Sequence, residues 1–492
     1  MNRIKVSILI LVAFISVGCF EDLDDQPITI PQINDFVWKG LNRFYLYKDD
    51  VPNLANNRFS SSSEYEDYLE NFSTPEALFE SLIYKRTTVD RFSWIVDNYF
   101  ELDAFFSGIS MSNGMEFQIY RFPASPETVF GVVTYVLPNT SAETNGVKRG
   151  DIFYGVDGTS LTTSNVSQLL STNNYTINLG TYNDNNTADT NDDSITPTTE
   201  SIALTKVQYT ENPIYINNVL NVNSKKIGYL MYNGFTGTDA FNNELNNVFG
   251  SFKSAGINEL VLDLRYNSGG SVNTAILLSS MITGQFKGKV FSTEQWNSEF
   301  QAAFENDDPE QLINRFVDTN KGTPLNSLQL QKVYVLTTKR SASASELVIN
   351  SLQPYIQVVQ IGTTTAGKYQ ASTTLYDSPN FRRQGANPRH TYAMQPLIFK
   401  SLNVDGKTDY FNGLAPTTEL AEQVNNLGVL GDVNEPLLAA AISDISGTAK
   451  KATSKPFALE ILKSSEDFDA FETGMYIDKN LPSNLINTNR FE

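Results

Sequence analysis

Residues 333–368 read VYVLTTKRSASASELVINSLQPYIQVVQIGTTTAGK. An apolar run over 333–338 is followed by a polar loop, a helix-spaced stretch near 344–352 and a second apolar run over 356–362. Strands that are continuous apolar runs, alternating with helices, signal a mostly parallel sheet. Successive parallel strands bring their C-terminal ends to one edge. Ser343 stands in the loop after the first strand, at the start of the helix, and Lys368 lies just beyond the second strand. Both side chains are therefore expected at the same edge. The chain has 492 residues but one histidine, His390, and one cysteine, Cys19. That scarcity removes a zinc site of several imidazoles or thiolates and leaves His390 as the sole imidazole for a Ser-His-Asp triad. A serine hydrolase built from this chain would draw its base from a lysine. His390, between Arg389 and a predicted strand, reads as structural.

The same alternation extends over about 225–415. Strand-like KKIGYLMYNGF leads through a polar helical segment to LVLDLR at 260–265, then Asn267-Ser268-Gly269-Gly270 and a helix near 272–282. The glycine turn reaches the edge that holds Ser343 and Lys368, again at a helix start, and adds free backbone N–H groups. Each fragment also has an ordinary explanation: a serine before a helix is an N-cap, and a Gly-Lys pair is a turn with a solvated lysine. An Asn-Ser-Gly-Gly turn can cradle phosphate, but there is no GxxxxGK[ST] loop beside it. Nucleotide binding is therefore disfavoured.

Residues 34–104 form an N-terminal helical domain. Phe36, Val37, Leu41, Phe44 and Tyr45 recur at helix spacing, and Thr74-Pro75-Glu76 opens a further helix over Leu78, Phe79, Leu82 and Ile83. No chemistry is visible in it. Residues 105–208 change to short β-runs punctuated by Gly and Asn. Within them, 131–158 resembles the core of a PDZ domain, with Gly146, Gly150, Asp151 and Gly158 at turns. Such domains bind peptide termini by adding a strand to a sheet edge. The polar stretch 181–199 is expected to be a loop. Its Asp and Asn content lacks the spacing of a calcium-binding loop, so no metal is expected there. A helix is expected at 436–445, and residues 446–492 form a polar tail without an assigned role.

Arg3 and Lys5 precede an apolar run over 6–17 that is too short to span a bilayer, which takes about 20 residues, and that fits a signal-peptide core. Gly18-Cys19 at its end resembles a bacterial lipobox, with Ser16 where leucine is usual. This implies a leader over 1–18, lipidation of Cys19 and a tether over 19–33. Glu21, Asp22, Asp24 and Asp25 resemble the export signal of Bacteroidota-type surface lipoproteins. The expected location is the cell envelope, lipid-anchored at the outer membrane, periplasmic or surface-exposed, with the membrane met through that anchor. A formal net charge of −19 argues against a nucleic-acid partner, since phosphate binding needs clustered Lys and Arg.

Three separated motifs in this order resemble the C-terminal processing, or tail-specific, proteases of peptidase family S41. They are Asp263-Leu264-Arg265 with its glycine turn, Ser341-Ala342-Ser343-Ala344-Ser345-Glu346, and Lys368. Asp90-Arg91-Phe92-Ser93 resembles a segment that precedes the PDZ domain in that family, and the order of domains matches. The resemblance spans about residues 35–445. It implies an α/β protease core of the ClpP/crotonase-like type over 209–445, with the helical and PDZ-like domains before it. It implies a Ser-Lys dyad without cofactor, in which Ser343 attacks the scissile carbonyl and Lys368 is the base. Ala344 would supply one oxyanion-hole N–H and either Gly269 or Gly270 the other. Protein or peptide substrates follow, engaged through their C-terminal segments. The glutamine that many members carry four residues after the lysine is replaced by Ser372, so Ser372 or Gln370 is expected to orient Lys368. The alternative is a weakly active or inactive peptide-binding surface lipoprotein on the same fold.

Overall fold

The structure, a computed structural model, describes residues 28–187, 189–448, 459–468 and 474–477. The leader, Cys19 and most of the tether lie outside them. Among the described residues no helix is long and apolar enough to cross a membrane.

The centre of the molecule is a six-stranded sheet in the order Ile214–Val222, Lys225–Tyr232, Glu259–Asp263, Lys332–Thr337, Gln357–Gly362 and Thr418–Glu419. The first pair is an antiparallel hairpin and every later pairing is parallel. Leu260, Val261 and Leu262 are all fully buried, because helices cover both faces of these strands. Helices Val272–Thr283 and Ala344–Leu352 pack on each other over one face, and Pro436–Ile445 lies on the other. Each helix starts within a residue or two of its expected position.

At the end of strand Glu259–Asp263 the chain buries Arg265 completely. Its guanidinium donates to Asp263 at 2.9 Å, to both oxygens of Glu435 at 2.6 and 3.0 Å, and to Glu422 at 3.1 Å. Glu435 also caps Pro436–Ile445 through the Leu438 N–H. The Asp-Leu-Arg motif thus fastens the late helix to the sheet. Arg149, from the β-rich region that precedes this sheet, joins the same cluster, donating to Glu422 and to the Tyr266 hydroxyl, both at 2.7 Å.

Helices Ile30–Phe44, Ser62–Glu70 and Pro75–Leu82 form the N-terminal unit. Thr74 caps the third through the Ala77 N–H at 3.1 Å, as its Thr-Pro-Glu start implies. Their apolar faces do not close a separate core. Phe36, Leu41, Phe44 and Phe79 belong to the same cluster as Leu230, Leu262 and Leu347 of the peptidase layer.

The β-domain runs in the order Glu460–Ser464, Met115–Phe122, Ser125–Val136, Ile152–Val156, Asn174–Asn183 and Ser194–Thr205. It closes over Phe117, Ile119, Phe153, Val156, Val166 and Ile177. Short helix Ser141–Thr144 and the positive-φ turn at Asp157 and Gly158 lie where the sequence pattern places a helix and a turn. One expectation fails here. Much of 181–199 is strand, because Thr181, Tyr182 and Asn183 pair with Thr196, Ile195 and Ser194. Only Tyr182 and Ile195 of this pair pack on the cluster around Phe130, while the polar residues between them meet water, so composition concealed the pairing.

Candidate active site

Three serines of the hexapeptide are separated by what their hydroxyls hold. Ser341 Oγ donates to the Leu264 carbonyl at 2.8 Å and Ser345 Oγ to the Asn267 carbonyl at 2.9 Å, which stitches the loop to the glycine turn. Ser343 is left facing the edge of the sheet. Its backbone is left-handed, with φ +61° and ψ −111°, a costly conformation for a residue with a Cβ and typical of functional turns. The glycine turn allows this approach, since a Cβ on Gly269 would lie 2.7 Å from the Ser343 Cβ.

Lys368 is 4% exposed. Its ammonium lies over the Phe92 ring, 4.5 Å from the centroid, so the Asp90-Arg91-Phe92-Ser93 segment helps wall the site. Asp90 fixes that segment by accepting the Phe92 and Ser93 N–H groups and the Tyr45 hydroxyl. Arg91 reaches across to the Gly367 carbonyl at 3.1 Å. The helical unit therefore supplies a wall of the site, although its sequence showed no chemistry.

Glu346 ties the serine and lysine segments together. Its buried carboxylate accepts the Ser343 N–H at 2.9 Å, the Lys368 N–H at 2.8 Å, the Gly367 N–H at 2.7 Å and the Thr365 hydroxyl at 2.5 Å. Burial pushes this carboxyl above its usual range, and those four donors work against the rise. A glutamate three residues after a serine at a helix start is a capping pattern, a signal that sequence reading had available. Its second hold, on the lysine turn, has no local signature.

Ser343 and Lys368 converge on one short segment of the chain. The Met475 N–H donates to Ser343 Oγ. Gly474 lies against the Lys368 ammonium so closely that a Cβ there would overlap Nζ. Of the backbone donors nearby, the Gly269 N–H is taken by Asn267 Oδ1 at 2.9 Å. Among the described residues, the N–H groups of Gly270 and Ala344 have no acceptor.

The expectation for the lysine's partner is corrected. Ser372 directs its N–H and hydroxyl to the Met475 carbonyl, at 2.9 and 3.3 Å. The Gln370 amide donates to the Tyr47 hydroxyl at 2.9 Å. Neither side chain bonds Lys368, because strand Gln370–Ser372 turns them to other neighbours. His390 bonds Asp377 at 2.8 Å through Nε2, and its Nδ1 accepts the Tyr392 N–H at 3.0 Å. It braces its own loop.

A family model described as peptidase family S41 matches residues 226–386, and one described as the peptidase S41 N-terminal domain matches residues 32–94. No curated protein sequence matches the chain. Among solved structures, a protein from Bacteroides fragilis NCTC 9343 assigned to the S41 proteases is 26% identical. It aligns over 84% of this chain and 98% of its own, with a TM-score of 0.63. A photosystem II D1 C-terminal processing protease is 18% identical over 85% of this chain and 99% of its own, with a TM-score of 0.48. The chain thus carries a region matching the peptidase domain of family S41 and, before it, one matching that family's N-terminal domain, and a solved structure of an S41 protease aligns with most of its length.

Proposed function

We propose that the chain is a serine endopeptidase of the cell envelope, with Ser343 as nucleophile and Lys368 as general base. The observation that carries this reading is the meeting of both side chains at a single peptide link, between Gly474 and Met475. Ser343 Oγ attacks a scissile carbonyl, Lys368 takes the hydroxyl proton and returns it to the leaving amine, and water then hydrolyses the acyl-enzyme. The lysine must be neutral to do this, whereas a free lysine has a pKa of about 10.4. A dry, apolar setting lowers such a group by about 3 units or more. The Ala344 and Gly270 N–H groups are the better pair for the oxyanion, since that of Gly269 is already held by Asn267.

The PDZ-like domain engages peptide segments by strand addition. Lipidated Cys19 tethers the protein to the membrane, and replacing it with alanine is expected to move the protein from the membrane to the soluble fraction. The central test is casein hydrolysis by wild type, Ser343→Ala and Lys368→Ala. Losses on the order of 10⁶-fold are expected for removal of the nucleophile. Equal activity in all three proteins would end the proposal. Activity should rise with pH as the lysine loses its proton. A profile set by a group near about 6.5 and abolished in His390→Ala would point instead to an imidazole base.

A further inference from the structure

Two pieces of the late chain occupy the two places where a substrate of this architecture would bind. Strand Glu460–Ser464 adds antiparallel to the edge strand Met115–Phe122, with Ile461 opposite Tyr120 and Ser464 opposite Gln118. Beside it, Lys463 Nζ donates to Ser167 of helix Val166–Ser171 at 2.9 Å, and Phe468 packs on Phe117 with ring centroids 5.5 Å apart. This is peptide capture by strand addition between a sheet edge and a helix. Glu466 then pairs with Arg340, 3.0 Å away in the loop that leads to Ser343.

The second piece, residues 474–477, lies extended through the catalytic cleft with backbone partners on both sides. On one side the Tyr476 N–H donates to the Gly270 carbonyl at 3.2 Å and the Val272 N–H to the Tyr476 carbonyl at 3.0 Å. On the other, the Ser372 N–H donates to the Met475 carbonyl at 2.9 Å and the Ile477 N–H to the Ser372 carbonyl at 3.2 Å. Tyr476 is held by the Phe106 ring, at 4.6 Å, and its hydroxyl accepts the Gly237 N–H at 3.3 Å. Met475 is fully buried. The nitrogen bonded to Ser343 Oγ is that of the Gly474–Met475 link. The residue beside the lysine is one whose lack of a side chain makes the fit possible.

We infer that the chain is its own substrate, holding residues 459–468 along the PDZ-like groove and residues 474–477 in the cleft, and cutting the Gly474–Met475 bond. The inference rests on the reading of Ser343 and Lys368 as the catalytic pair. The Ser343 Oγ–C bond to Gly474 forms as the C–N bond to Met475 breaks, and the hydroxyl proton passes through the Lys368 amine to the departing nitrogen. Water then attacks the Gly474 ester. Its proton returns through Lys368 to Ser343 Oγ, and the shortened chain ends in a Gly474 carboxylate. Attachment in the same chain gives the bond a high effective concentration at the site, and until it is cut an outside peptide competes with it for the cleft.

Intact-mass spectrometry of the purified full chain tests this, with casein hydrolysis measured in parallel. The expected result is a wild-type chain ending at Gly474 and Ser343→Ala and Lys368→Ala chains that keep Met475. The cleavage rate should not depend on protein concentration, and an Ser343→Ala chain mixed with wild type should stay intact while the cut proceeds in cis. Gly474→Val, which displaces the link from the lysine, should slow self-cleavage by about 100-fold, and casein hydrolysis should fall below wild type for as long as the uncut segment competes for the cleft. A wild type that degrades casein yet keeps its own Gly474–Met475 bond, or is cut elsewhere, overturns this inference and leaves the protease reading intact. Failure to cut either substrate overturns both.

Discussion

Two buried glutamates are handled in opposite ways. Glu422 accepts from two guanidiniums and a phenol. Burial alone would raise its pKa, but Arg149 and Arg265 outweigh that and hold it at about 2. Glu346 accepts only main-chain N–H groups and a hydroxyl, and burial pushes its carboxyl up. The first arrangement joins segments through compensated charge and fixes the β-domain to the central sheet. The second uses no cation and aligns the two turns that carry Ser343 and Lys368. A carboxylate ringed by guanidiniums marks architecture here, and one ringed by amides marks the site.

The contrast breaks if the two clusters respond alike to mutation. The largest effect is expected for Arg265→Met, which strands Asp263 and Glu435 as buried carboxylates. A loss of about 3–5 kcal/mol follows from breaking a buried ionic cluster, read by urea denaturation. A change within measurement error would mean that Arg265 does not hold the layers together. Glu346→Gln should act on rate, because an amide cannot accept all four donors at once and the serine and lysine turns lose their shared anchor. A fall of about 100-fold in kcat is expected from misplacement alone, with KM little altered. A KM effect without a kcat effect would remove the positioning role.

Acid separates the two by sign. Glu422 is ionised in the folded state down to about 2 against an ordinary 4.5. Its contribution is therefore complete above the ordinary value and is lost as the pH falls towards 2. Glu346, shifted upward, has its contribution in acid and loses it as the pH rises past the carboxylate range. Thermal midpoints of wild type and Glu422→Gln should therefore converge on acidification, and a constant gap would contradict the assignment. Ser372→Ala gives the smallest effect. It removes one hydrogen bond to the strand in the cleft, worth about 0.5–1.5 kcal/mol, and should shift KM rather than kcat. A large fall in kcat would restore Ser372 as the lysine's partner.

What was legible in the sequence was what is local. The apolar runs, the helix starts at 272, 344 and 436 and the turn at Asp157-Gly158 all follow from patterns within a dozen residues. They also bring Ser343, Lys368 and the glycine turn to one edge. Contacts between remote segments left no such trace. Phe92 reaches Lys368 from the helical unit, and nothing in the polar run after 446 signals that residues 460–464 and 474–477 bind two separate clefts. Ser372 failed as the expected partner because spacing along a strand does not say which neighbour a short hydroxyl will find.

The most direct measurement is acyl-enzyme trapping with an activated ester, followed by peptide mapping in wild type and Lys368→Ala. The account predicts an adduct on Ser343 in wild type that forms more slowly by orders of magnitude once the amine is gone. An adduct on another residue, or equal rates in both proteins, would contradict it.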